Sequence, residues 1–93
     1  MRESQIEAYF VKRVREIGGL QRKFVSPGHK GVPDRIVVFL GEVFFVELKA
    51  PGKALRPDQA REHKKLFEAG CNVFVLDSRE AVDYFIKQVK SCY

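Results

Sequence analysis

The chain predicts an α/β fold in which a mixed sheet carries helices on both faces. Three observations carry that expectation: apolar stripes at helical spacing near both ends, two adjacent runs of Val, Ile and Phe divided by a glycine turn, and one short apolar run without alternation. The elements follow in the order α, β, β, β, α, β, α. Ser4 followed by Glu7 matches a capping box, and Ile6, Phe10, Val14 and Ile17 recur at helical spacing until Gly18-Gly19 ends the pattern. Residues 20–25 form a short extended stretch, and the Pro and Gly residues of 26–33 break regular structure into a loop. Residues 35–40 and 43–49 read as antiparallel strands, because Gly41-Glu42 between them fits a type II′ turn, which wants Gly first. Residues 50–56 make a basic loop. Pro57 then suits the first turn of a helix reaching Ala69, Gly70 stops it, and Gln59, His63 and Leu66 share one of its faces. The run 73–76 is expected to be a strand covered on both faces. Ser78 caps a last helix, whose Val82, Phe85, Ile86 and Val89 form the stripe that meets the sheet.

Ninety-three residues suffice for one domain, spanning 1–93, that buries roughly 60 to 65% of its unfolded surface. A hydrophobic fraction of 45% with 31% charged residues excludes a disordered or fibrous chain. Seventeen Lys and Arg against twelve Asp and Glu leave a charge of +5, which favours a polyanionic partner such as nucleic acid, with an anionic membrane surface as the competing reading. No run of about 18 apolar residues and no apolar signal core is present, so neither a membrane span nor a secretory peptide is expected and the protein reads as intracellular. Cys71 and Cys92 are isolated and read as reduced thiols. His29 and His63 are equally solitary, which argues against a zinc site built from Cys and His.

The chemistry lies in Gly31-Val32-Pro33-Asp34 and Glu47-Leu48-Lys49, which frame the hairpin. With a turn at Gly41 and Glu42, Leu40 pairs with Val43 and stepping outward places Asp34 opposite Lys49, with Glu47 its diagonal neighbour at a Cβ separation of about 7 to 8 Å. Strand alternation puts Asp34, Glu47 and Lys49 on one face and Val46 and Leu48 on the other. Two carboxylates so placed can close around a hard, oxygen-liking ion such as Mg²⁺ or Mn²⁺, with the Lys49 ammonium beside a hydrolytic water. Pro-Asp alone is a turn signal and Glu-x-Lys alone is commonly a surface ion pair. Together, separated by a hairpin turn and flanked by apolar strands, they point to phosphodiester cleavage.

These segments and the element order resemble the PD-(D/E)XK nuclease superfamily, the restriction-endonuclease-like fold, and more narrowly a virus-type replication and repair nuclease (VRR-NUC) domain, over residues 4 to about 85. The resemblance implies that Asp34 and Glu47 bind the metal, that the carbonyl of Leu48 is a further ligand, and that Lys49 activates water or stabilises charge. It maps the family's first-helix glutamate onto Glu7, as a ligand of a first or second metal, and makes Gln59 an accessory active-site residue. A capping role explains Glu7 and support of a helix turn explains Gln59 without any chemistry. His63 is expected to pack on its helix face rather than act as a base.

Lys23, His29, Lys30, Lys53 and Arg56 flank the proposed site, where phosphate contacts would position DNA without reading sequence. The expectation is therefore a Mg²⁺- or Mn²⁺-dependent DNA endonuclease, leaving 5′-phosphate ends by resemblance and selective for branched DNA such as four-way junctions in replication or repair. A domain this small would grip two strands most economically as a homodimer. The alternatives are a monomeric nicking or flap nuclease and a nucleic-acid-binding module without turnover.

Overall fold

A computed structural model describes residues 1–91; Cys92 lies outside the described residues, and Cys71 is a half-buried free thiol. The elements are α1 (Glu3–Glu16), β1 (Leu20–Lys23), β2 (Arg35–Phe39), β3 (Glu42–Leu48), α2 (Pro57–Glu68), β4 (Asn72–Leu76) and α3 (Arg79–Ser91), in the expected order. The four strands form one mixed sheet in the order β1-β2-β3-β4, antiparallel except for the parallel β3–β4 pair, which the α2 crossover makes possible.

Local chemistry explains where the helices begin and end. Both α1 and α2 close in Schellman motifs. Gly18 and Gly70 take left-handed φ of 79° and 96°, and the amides of Gly19 and Cys71 reach the carbonyls of Val14 and Leu66 at 2.9 Å. The Ser78 hydroxyl accepts from the Ala81 amide at 3.0 Å and starts α3 as expected. The start of α1 differs from the expected Ser4–Glu7 box: Arg2 is the N-cap, and the Gln5 side chain accepts from its amide at 2.7 Å. Gln5 does what Glu7 was expected to do, which frees Glu7 for a partner outside its own helix.

The core lies between one sheet face and the α1–α3 pair. Ile6, Phe10 and Val14 of α1 and Val82, Phe85, Ile86 and Val89 of α3 meet Val37, Phe44 and Val46 of the sheet. Phe85 is the hub, edge-on to Phe44 and Phe74 at centroid distances of 5.9 and 4.9 Å and tilted against Phe10 at 6.1 Å. The opposite face carries α2, which buries Gln59 and His63. That cover is incomplete over β4, where Val75 is 42% exposed. The expectation of a strand covered on both faces fails because β4 is an edge strand and a single helix cannot span its outer side. Among the described residues no helix is long and apolar enough to cross a membrane.

The hairpin turn also differs from expectation, by one position. Phe39 pairs with Glu42, so the turn residues are Leu40 and Gly41, both with positive φ (48° and 84°), the pattern of a type I′ turn rather than type II′. The two turns differ by two in pairing register. Such a shift leaves every side chain on its original face, so alternation of apolar residues cannot distinguish them.

The loop before β2 is fixed against α2. Gly31 has φ of 90°, and a Cβ there would lie 2.5 Å from the Asp58 carbonyl oxygen, closer than any packing allows. Gly31→Ala is therefore expected to cost about 3 kcal/mol in urea unfolding, from backbone strain and collision together. Gly52→Ala, with a similar φ of 78° but open space around it, is expected to cost only about 1 kcal/mol.

Candidate active site

Arg35 pairs with Val46, so one step outward Asp34 stands across from Glu47. This corrects the expected pairing of Asp34 with Lys49: Lys49 is the diagonal neighbour, and the cause is the earlier turn. The shared face survives. Asp34 is tied at both ends, its carbonyl accepting from the Phe24 amide at 2.8 Å and its Oδ2 from the Leu48 amide at 3.0 Å. Pro33 before it is fully buried, which fixes the approach of the chain.

Glu47 is 2% exposed, an unusual environment for a carboxylate. From α2, the Gln59 side-chain amide donates to Oε2 at 3.2 Å, while its carbonyl oxygen accepts from the Arg56 amide at 2.9 Å. Gln59 thus caps its own helix and anchors Glu47 at once. His63, one helical turn on, brings Nε2 to 3.5 Å from Glu47 Oε1, and neither ring nitrogen nor Oε1 has a hydrogen-bond partner. Burial lowers the His63 pKa and keeps the ring neutral. His63 was expected only to pack. Its i, i+4 spacing from Gln59 was the available signal that it faces the same carboxylate.

Burial, and after it the hydrogen bond and negative charge of Asp34, push the Glu47 carboxyl up to about 8, with Lys49 and Arg56 pulling the other way. The Lys49 backbone is held by its amide to the Leu76 carbonyl at 3.0 Å, and its ammonium forms no ion pair among the described residues. It is half-buried beside the carboxylates, free to meet an anionic group.

A divalent cation between Asp34 and Glu47 would offset both the burial of Glu47 and the repulsion between the two carboxylates, and Glu47 Oε1 has bonding capacity to offer. The residues therefore fit such an ion. No three Asp, Glu, His or Cys side chains cluster at ligand spacing among the described residues. A Mg²⁺-like ion suits that supply, because it keeps water and phosphate in its shell and needs few protein carboxylates.

The raised Glu47 pKa makes stability depend on pH. Between pH 4.5 and about 8 the folded carboxyl keeps a proton that the unfolded chain releases. The folded state then binds more protons, so stability falls as pH rises through that window. In chelator the thermal midpoint is expected to drop by more than about 10 °C between pH 5 and 8, and a fluorescence melt checks it.

Glu7 does not join the two carboxylates directly. Its Oε2 accepts from Arg35 Nη2 at 2.8 Å, and Arg35 Nη1 also holds Gln21 at 2.8 Å. Arg35 is 7% exposed, a buried cation bridging α1, β1 and β2 that the sequence reading passed over. Its position two residues before core-facing Val37 was the signal. Glu7, Asp34 and Lys23 line one cleft of about 270 Å³, at whose rim Glu7 is half exposed.

The other basic candidates divide into separate groups. His29 is held by Glu62 at 2.7 Å and lines a second cleft with Lys30, Arg61 and Lys65. Arg56 pairs with Asp58 at 3.2 Å, and Lys53 is exposed on its loop.

No family model matches the chain. A curated relative named "Putative nuclease p44", from Acyrthosiphon pisum secondary endosymbiont phage 1, is 53% identical over 81 residues, which are 86% of this chain and 87% of the relative. A solved structure described as a VRR_NUC domain is 37% identical and superposes with a TM-score of 0.85, over 91% of this chain and 94% of that one.

Proposed function

Because the chain belongs to the VRR-NUC family of nuclease domains, we propose that it is a divalent-cation-dependent DNA endonuclease whose reacting centre is Asp34, Glu47 and Lys49. The observation that carries this reading is the buried Glu47, forced beside Asp34 with one carboxylate oxygen unpartnered. Burying a carboxylate next to another costs stability, and a site that does so without a structural return is a functional candidate.

In this reading Asp34 and Glu47 hold Mg²⁺ or Mn²⁺, joined by the carbonyl of Leu48, whose amide already faces Asp34. A strand residue's amide and carbonyl point to the same side, which aims that oxygen at the site. When bound, such an ion would polarise the scissile phosphoryl group and acidify a nearby water. Lys49 contributes a compact positive charge where negative charge grows on the phosphate in the transition state. Gln59 fixes Glu47, and Glu7, held by Arg35, assists from the rim of the cleft. Lys23 on that rim and Arg56, whose charge acts on Glu47, supply phosphate contacts that position the strand, joined by His29, Lys30 and Lys53.

For the substrate we infer branched DNA such as a four-way junction, cut by a homodimer that presents two centres, within a phage-infected bacterial cell during replication or repair. The phage origin of the relative supports that setting. The test offers linear duplex, flap and four-way-junction DNA in Mg²⁺, Mn²⁺ or chelator to the wild type and to Asp34→Asn and Lys49→Ala. Cation-dependent cutting of the junction, lost in both variants, is expected. Cleavage that survives both substitutions would remove the centre from these residues, and binding without cutting would leave a non-catalytic module. A solution mass equal to one chain would replace the paired-site reading with a monomeric nicking or flap nuclease.

A further inference from the structure

We propose that His63 is a positioning residue for the cleavage centre: its Nε2–H donates to Glu47 Oε1 and, with Gln59 on Oε2, fixes the orientation in which Glu47 faces Asp34. The inference rests on the reading of Asp34 and Glu47 as cation ligands.

The geometry supports it from both sides. His63 is 7% exposed, its two ring nitrogens have no hydrogen-bond partner, and Nε2 lies 3.5 Å from the one oxygen of Glu47 that also lacks one. Buried polar groups in folded proteins are almost always satisfied, so two orphans facing each other a few tenths of an ångström beyond bonding distance define a contact that closes with slight adjustment. A neutral imidazole has one N–H to give, and the ionised Glu47 that a bound cation requires can only accept.

The placement makes the helix an instrument. Gln59 and His63 lie one turn apart on α2, and together they address both oxygens of a carboxylate carried by β3. A free carboxyl group rotates about its terminal torsion over a broad range. Held at both oxygens it keeps one plane, with its remaining lone pairs directed to Asp34. Groups that orient a ligand in this way typically change metal affinity by about 10- to 100-fold when removed.

The experiment measures Mn²⁺ binding by calorimetry for the wild type, H63F and H63Q, with a chelator-treated melt of each to confirm folding. H63F keeps the ring's bulk and removes the donor; H63Q restores an amide donor close to the position of Nε2. H63F is expected to weaken Mn²⁺ binding by at least about tenfold, and H63Q to recover most of it. A purely packing role predicts the opposite order, because Phe fills the space better than Gln. Nitrogen-detected long-range NMR correlation on the wild type in Mg²⁺, where Glu47 is ionised, reads the tautomer directly, even if H63F does not fold, and Nε2–H is expected. An Nδ1–H ring, or equal Mn²⁺ affinity in wild type and H63F, would overturn the proposal alone. A wild type that binds no Mn²⁺ would overturn the cation reading, and this proposal with it.

Discussion

Glu47→Gln is expected to abolish cleavage while making the cation-free protein more stable. The amide keeps the size of the side chain and can donate to Asp34 as the protonated carboxyl does, but it carries no charge to bury. It also loses the anionic oxygen that a divalent cation requires, so activity should fall by about 10³-fold or more, the scale on which removing an electrostatic element of a reacting centre is felt. The stability gain follows from the Glu47 pKa of about 8. At pH 5 the native carboxyl is already neutral and the substitution should change little. By pH 8 the unfolded wild type gains from releasing a proton that the buried native carboxyl still largely holds, and the variant should be more stable by about 4 kcal/mol, given about 1.4 kcal/mol for each pKa unit. Paired urea titrations at the two pH values in chelator measure this. A variant that loses stability equally at both would show that Glu47 is a structural residue.

Phe85→Ala is the largest change expected in the fold itself. Its ring is fully buried and meets Phe10, Phe44 and Phe74, so truncation removes the element that joins α3 to the sheet and to α1. Phe-to-Ala substitutions in cores cost about 3 to 5 kcal/mol, a large part of the 5 to 15 kcal/mol that holds a domain together. For a chain of this size that corresponds to a drop in thermal midpoint of more than 10 °C. A drop of less than about 5 °C would mean that the aromatic cluster is not the centre of the core. Asp34, Glu47 and Lys49 are on the other face of the sheet, so near 10 °C the surviving folded fraction should cleave at close to the wild-type rate per folded molecule.

The fold was legible because its signals are local: Ser78 at a helix start, glycines after α1 and α2, and the Val82, Phe85, Ile86 and Val89 stripe each act within a few residues. The shared face of Asp34, Glu47 and Lys49 was legible for a different reason. Pairing parity survives a shift of two residues, so a misplaced turn still leaves these side chains together while exchanging which of Glu47 and Lys49 stands opposite Asp34. The rest depends on contacts between distant segments. Nothing near Gly31 announces that Asp58 lies against it, and nothing near Glu7 announces Arg35, 28 residues away. His63 gained a role only once α2 was seen to lie over Glu47. The outer face of Val75 was misjudged because edge position belongs to the whole sheet rather than to the strand.

Cleavage by this centre requires Asp34 and Glu47 to hold a divalent cation between β2 and β3. The most direct measurement is anomalous diffraction from crystals soaked in Mn²⁺, which locates that ion independently of any assumption about ligands. One anomalous peak bonded to oxygens of both Asp34 and Glu47, lost in Asp34→Asn crystals, is the expected result. A peak that avoids Glu47, or crystals in which Mn²⁺ binds only elsewhere, would contradict it.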